Sequence, residues 1–166
     1  MKNTTYQACL DKIYKLGRFG IKLELDTIAN ILKFLNSPQK NYHIIHVAGT
    51  NGKGSTATYI ASILQKAGFK TGVYTSPHLS RFNERIMIDG KMISDDHVVR
   101  AYTAVDAVDI GKRKATFFEI ATAMAFYHFA QEKVEWAVIE TGMGGRFDAT
   151  NVALPQVSVI TNLSIE

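Results

Sequence analysis

Eight consecutive residues, Gly49-Thr50-Asn51-Gly52-Lys53-Gly54-Ser55-Thr56, carry the most specific chemistry in this chain. Glycines let successive backbone N–H groups converge on phosphate oxygens, a lysine adds a point charge for the outer phosphates, and a helix that follows directs its positive end at them. The run is a variant of the common G-x-x-x-x-G-K-[ST] loop. Val47 stands where the first glycine would be, and Gly54 separates Lys53 from the hydroxyls of Ser55 and Thr56. A second group is Glu140, which ends the apolar run Trp136-Ala137-Val138-Ile139. A carboxylate at the carboxyl end of such a strand is aimed at a ligand crevice, and its oxygens suit magnesium. On residue type alone, a solvated strand-end glutamate fits Glu140 equally well.

The elements that must position these groups follow from periodicity. His43 to Ala48 is a short β-rich run that feeds the glycine loop, and Ala57, Ile60, Ala61 and Leu64 continue at helical spacing until Gly68 caps the helix. Lys70 to Thr75 reads as the next strand, so residues 43–75 form a βαβ unit with a right-handed crossover. Upstream, Leu10, Ile13 and Tyr14, then Leu25, Ile28, Ala29, Leu32 and Leu35, predict two helices. The segment Gly17-Arg18-Phe19-Gly20 is the loop between them, and Asn36-Ser37-Pro38 is the stop. Asp89-Gly90 is a hairpin turn between Arg85-Ile86-Met87-Ile88 and Lys91-Met92-Ile93. Ser94 is an N-cap, and Thr116-Phe117-Phe118-Glu119 fits a capping box. Val134 to Glu140 and Gln156 to Thr161 complete the strands. The fold class is α/β, a three-layer, open, mostly parallel sheet with a P-loop-type nucleotide site.

At 166 residues one domain is expected, and 46% hydrophobic with 20% charged residues describes an ordinary globular chain. The single cysteine, Cys9, excludes an internal disulfide, and no apolar run reaches the ~20 residues that cross a bilayer, so a cytoplasmic setting is expected. The net charge is +4, but the basic residues are scattered and the cluster Lys112-Arg113-Lys114 has no interleaved aromatics. A nucleic-acid surface is therefore not expected. His43, His46, His97 and His128 lack metal-ligand spacing and read as structural or exposed. No Ser-His-Asp or Cys-His nucleophile arrangement is suggested.

Three segments in order, H-V-A-G-T-N-G-K-G-S-T (46–56), Y-T-S-P-H-L-S-R-F-N-E-R-I (74–86) and E-T-G-M-G-G-R-F-D-A-T-N (140–151), resemble the folylpolyglutamate synthase and dihydrofolate synthase family, relatives of the Mur ligases. The resemblance covers essentially the whole chain. It implies a Mur ligase central-domain-like fold and an ATP-dependent reaction in which a carboxylate is phosphorylated and the acyl phosphate is attacked by the amine of L-glutamate. Phosphoryl transfer between anions needs amides, a lysine and a divalent cation for charge and alignment. Carried over residue by residue, Gly49 to Thr56 bind ATP, Lys53 and Glu140 serve catalysis, and Ser55, Ser76 and Glu140 hold Mg2+. The folate or dihydropteroate substrate is assigned to Arg81, Phe82, Asn83, Glu84, Arg85, Thr116, Phe118 and Ala149. Phe118 suits stacking on a flat heterocycle and equally suits the core. Arg146 and Asp148 are candidates for ordering the glycine turn at residues 142–145. The expected partners are the folate-type substrate and glutamate, with no nucleic acid and no membrane, in a monomeric parent enzyme.

The family pattern continues past Ile160-Thr161-Asn162 to an acidic residue and a histidine that binds a second magnesium. A carbamylated lysine and a C-terminal domain come later. The sequence-based expectation is one ATP-binding domain over residues 1–166, truncated before its own end and inactive in ligation by itself. Two other readings stay open, a Mur-type ligase of peptidoglycan precursors and a non-catalytic nucleotide-binding module. Against the first, Lys53 is followed by Gly54-Ser55 where Mur loops read G-K-T or G-K-S, and the S-P-H-L and F-N-E-R-I segments are folate-type.

Overall fold

A computed structural model describes residues 5–16, 24–111 and 114–164. The segment Gly17-Arg18-Phe19-Gly20 and two residues of the basic cluster, Lys112 and Arg113, lie outside them. The chain runs α1 (Tyr6–Leu16), α2 (Asp26–Phe34), β1 (His43–Ala48), α3 (Lys53–Lys66), β2 (Thr71–Tyr74), β3 (Ile86–Ile88), β4 (Lys91–Met92), α4 (Asp95–Asp106), α5 (Phe117–Gln131), β5 (Trp136–Glu140) and β6 (Val157–Ile160). The six strands form one sheet in the order β4-β3-β2-β5-β1-β6. Its four strands β2, β5, β1 and β6 are parallel, and the β3–β4 hairpin adds an antiparallel edge.

Period-2 alternation sends the strand residues to two different cores. Ile44, Tyr74, Ala137 and Ile139 face α1, α2, α4 and α5, whereas Ile45, Val47, Val73 and Val138 face Ala57 and Ala61 of α3. The result is the three-layer α/β arrangement expected from the alternation of elements. Gly72 lies on the helix-rich face, where a Cβ would approach the Phe129 ring to 2.8 Å. Close approach of α5 to β2 therefore requires glycine there. The two strands of the βαβ unit are not neighbours, because β5 inserts between β1 and β2.

The local signals are met by matching geometry. Asp89 and Gly90 have φ of 49° and 75°, as a tight hairpin turn demands, and Gly68 has φ 92° just past α3. The Ser94 side chain accepts from the His97 N–H. Thr116 Oγ1 accepts from the Glu119 N–H at 3.2 Å while Glu119 Oε2 accepts from the Thr116 N–H at 2.7 Å. Thr116→Ala should therefore cost about 1 kcal/mol, since it removes one side of this reciprocal cap. In thermal unfolding followed by circular dichroism, this corresponds to a midpoint about 2–4 °C lower.

Candidate functional site

The glycine loop leaves β1 at its carboxyl end and enters α3 at Lys53. Gly52, at φ 79°, is the N-cap and supplies no side-chain cap. The first intrahelical bond runs from the Thr56 N–H to the Gly52 carbonyl, 2.9 Å. The N–H groups of Lys53, Gly54 and Ser55 are thus left without intrahelical acceptors, pointing off the positive end of the helix. Lys53 Nζ folds back over the loop and donates to the carbonyls of Gly49 (2.9 Å) and Thr50 (3.1 Å). Open amides and ammonium together make this helix start cationic, which is the chemistry a polyphosphate chain requires.

Glu140, at the end of β5, stands beside this loop. A Cβ built on Gly54 would lie 3.5 Å from its Oε2, so the missing side chain at residue 54 lets the carboxylate reach the helix start. Glu140 is 4% exposed, and its Oε2 accepts from the Ser76 N–H at 2.8 Å. Burial raises its pKa, while the Ser76 N–H and the positive charges of Lys53 and Arg85 pull it down. Because the folded value is raised, the contribution of this group to stability is fully present below its unfolded pKa and is lost as pH rises through the folded one. Glu140→Gln keeps an oxygen for the Ser76 N–H and removes the charge. It should therefore abolish this pH dependence and give a higher thermal midpoint than the native chain at neutral pH.

Of the expected metal ligands, Ser76 and Glu140 are brought together directly and Ser55 follows Gly54 on the same helix start. The set is all oxygen with one carboxylate, and among the described residues Glu140 Oε1 accepts no hydrogen bond. This fits magnesium, a hard cation that takes few protein ligands besides phosphate and water.

The segment expected to meet the substrate divides into framework and surface. Phe82 is fully buried and Asn83 is 3% exposed. Asn83 Nδ2 donates to the Ile93 carbonyl and to Asp95 Oδ1. In this structure both side chains are packed into the framework beneath the loop. Glu84 accepts from the N–H groups of Leu79 (2.7 Å), Ser80 (2.9 Å) and Arg81 (2.6 Å), and these bonds hold its carboxyl below the usual range. It shapes the loop from within. Arg81 is exposed and pairs with Asp95 at 2.8 Å. Arg85 is buried, with Nε donating to His78 Nδ1 at 2.7 Å and its guanidinium 5.0 Å from the Phe117 ring.

Thr116 caps α5, and Ala149 is buried in the single turn Ala149–Val152. The ring of Phe118 is seated on Gly142, where a Cβ would come to 2.5 Å, and stands 6.0 Å from Tyr74. Phe118 is thus partly buried and packs against the core. Its neighbour Phe117 lies instead in a half-open aromatic group, stacked on Tyr14 (5.8 Å, 11°) and edge-on to Phe82. Helical periodicity gave no sign of this, because Tyr14 arrives from α1.

Asp148 orders the glycine turn as anticipated. Its Oδ2 accepts from the Met143 N–H, and its Oδ1 from the N–H and hydroxyl of Thr150. With the Thr150 proton given to Asp148, His46 Nε2 donates to Thr150 Oγ1 at 2.7 Å, which ties β1 to the turn. Burial holds the His46 pKa below its ordinary value. Arg146 contributes its carbonyl, which accepts from Asn151 Nδ2. The residues missed at sequence level are those after β6. The Thr50 N–H donates to the Asn162 carbonyl (2.7 Å), the Asn51 N–H to Asn162 Oδ1 (2.9 Å), and Thr161 Oγ1 to the Asn51 carbonyl (2.7 Å). No motif pointed to this brace, although an Asn at a strand exit is a frequent partner for turn amides.

A mostly parallel sheet with a strand–glycine loop–helix junction and an adjacent strand-end carboxylate defines a protein of the α/β class, in which ligand sites lie at the carboxyl ends of the strands. Within that class the Mur ligase middle domain matches residues 47–166, and the chain belongs to this family. It is 42% identical over 168 residues to the dihydrofolate synthase/folylpolyglutamate synthase of Bacillus subtilis, covering 96% of this chain and 39% of that protein. Among solved structures, Escherichia coli FolC in complex with DHPP and ADP superposes with a TM-score of 0.93 at 32% identity, covering 99% of this chain and 39% of that one. An FPGS–AMPPCP–folate complex gives 0.91 at 40% identity, covering 98% and 41%. The chain thus spans about two fifths of the length of these relatives.

Proposed function

We propose that this chain binds the phosphates of ATP and forms the ATP-binding part of a ligase that adds L-glutamate to folate or dihydropteroate through an acyl phosphate. The observation that carries the reading is the meeting of three open N–H groups and the Lys53 ammonium with the buried Glu140 carboxylate at one helix start. Glu140, Ser76 and Ser55 would hold magnesium, which when bound would neutralise phosphate oxygens and polarise the transferred group. Lys53 would exchange its two loop carbonyls for phosphate oxygens, a charge-assisted and stronger pair. The relatives with bound ADP, AMPPCP, DHPP and folate support the choice of nucleotide and substrate class. Arg81, Arg85 and the half-open ring of Phe117 are the groups suited to an anionic, aromatic substrate. Among the described residues no helix is long and apolar enough to cross a membrane. Cys9 is a free, buried thiol, in keeping with a proposed cytoplasmic setting.

Titration calorimetry with ADP and magnesium tests the nucleotide reading, and saturable one-site binding is the expected result. No heat of binding at millimolar ADP would refute it. The ligase reading requires ADP and a glutamylated product to form together from ATP, L-glutamate and dihydropteroate or tetrahydrofolate. The assay calls for a polypeptide of the relatives' full length that contains this sequence.

A further inference from the structure

At the end of the molecule opposite the phosphate loop, His97 from the first turn of α4 meets His128 and Glu132 from the end of α5. One ligand atom from each lies within 4.8 Å of the other two. His97 Nδ1 is 3.8 Å from Glu132 Oε1, and the two imidazole rings are 5.1 Å apart between centroids. His128 and Glu132 are one helical turn apart, so both project from one face of α5, and α4 supplies the third group. Along α5 the distance from Thr116 to Glu132 is about 24 Å at the ordinary helical rise, which separates this cluster from the Thr116 end of the helix.

We propose that His97, His128 and Glu132 form a binding site for a borderline-soft divalent cation such as Zn2+, which clips α4 to α5. Two imidazoles and one carboxylate, with water in the fourth position, make a sufficient tetrahedral donor set, and rotamer adjustments would bring the ligand atoms to coordination distance. His128 carries the strongest support. It is only 6% exposed, and its ring lies 5.1 Å from that of His97 and one helical turn from Glu132, so the three donors share one small region. Lys70 Nζ lies 3.6 Å from Glu132 Oε2, which orients the carboxylate and leaves Oε1 turned toward His97. The C-terminal end of α5 adds a favourable dipole for a cation, and Asp95 and Asp96, in the same first turn as His97, offset the positive N-terminal end of α4. The competing description is a plain His97–Glu132 ion pair with a neutral buried His128.

The test uses the whole chain, stripped with a chelator and titrated with Co2+ and then with Zn2+. Expected are one equivalent of Co2+ with the intense visible absorption of a tetrahedral site, its displacement by Zn2+, and a higher thermal midpoint with Zn2+ bound. His97→Ala and Glu132→Gln act on half-exposed residues and leave the buried ring in place, so both should fold as judged by circular dichroism. Each should weaken Co2+ binding by ~100-fold or more, beyond the ~10–100-fold typical of residues that only orient a ligand. Absence of tetrahedral absorption, or affinity unchanged in either folded variant, overturns the proposal in favour of the ion pair. Because nothing is read from nucleotide binding, the outcome is independent of the ligase reading.

Discussion

Lys53→Ala should lower the affinity of this chain for ADP with magnesium by about 10- to 150-fold, as measured by titration calorimetry. A hydrogen bond to a charged group contributes ~1.5–3 kcal/mol, and each ~1.4 kcal/mol is a factor of ten in affinity. Lys53 is the loop's one ammonium, and in this structure it is held by its own Gly49 and Thr50 carbonyls. Removing it takes away the point charge and also loosens the turn that aims the amides. Two controls separate these effects. Lys53→Arg keeps the charge and should recover part of the affinity, although a planar guanidinium fits this compact turn less well than an ammonium. Lys53→Met keeps the stem and should bind as poorly as alanine. ADP affinity equal to native in Lys53→Ala would show that the loop does not grip phosphate.

The second large effect is expected at Gly49. Its φ is +136°, and an added Cβ would come 2.1 Å from Thr161 Oγ1 and 3.0 Å from the Asn162 carbonyl oxygen. The neighbour that must give way is the segment that braces the loop, since Asn162 accepts from the Thr50 and Asn51 N–H groups. Backbone strain of this kind costs ~1–3 kcal/mol, and the clash adds to it, for a total of about 2–4 kcal/mol. In a domain of this size that lowers the thermal midpoint by ~5–15 °C. Nucleotide binding should be lost with it, because the amides no longer converge. Combining Gly49→Ala with Thr161→Ala removes the closest clash and leaves the strained φ, so the pair should recover part of the midpoint and show clear non-additivity. Strict additivity of the two substitutions would mean that the loop and the segment after β6 are not coupled.

Local chemistry made much of this protein legible before any coordinates. The β-rich run 43–48, the glycine loop, the Asp89-Gly90 turn, the Ser94 cap and the Thr116–Glu119 box each depend on residues within eight consecutive positions. They occur where the sequence places them, with strand ends shifted by a residue or two. Glu140 was legible as a strand-end carboxylate, and the link from Asp148 to the glycine turn spans only five residues.

What the sequence by itself determined, then, is the class of fold, the glycine loop between β1 and α3 and the strand-end position of Glu140, because backbone conformation and period-2 or helical patterning are short-range properties. Tertiary structure alone decided the rest. It inserted β5 between β1 and β2, buried Phe82 and Asn83, seated Phe118 on Gly142, and brought Tyr14 to Phe117, Asn162 to Thr50, and His97 to His128. Each of those contacts joins residues from 24 to more than 100 positions apart, and no spacing rule reaches across that distance. They are selected by how the two faces of one sheet close over their helices.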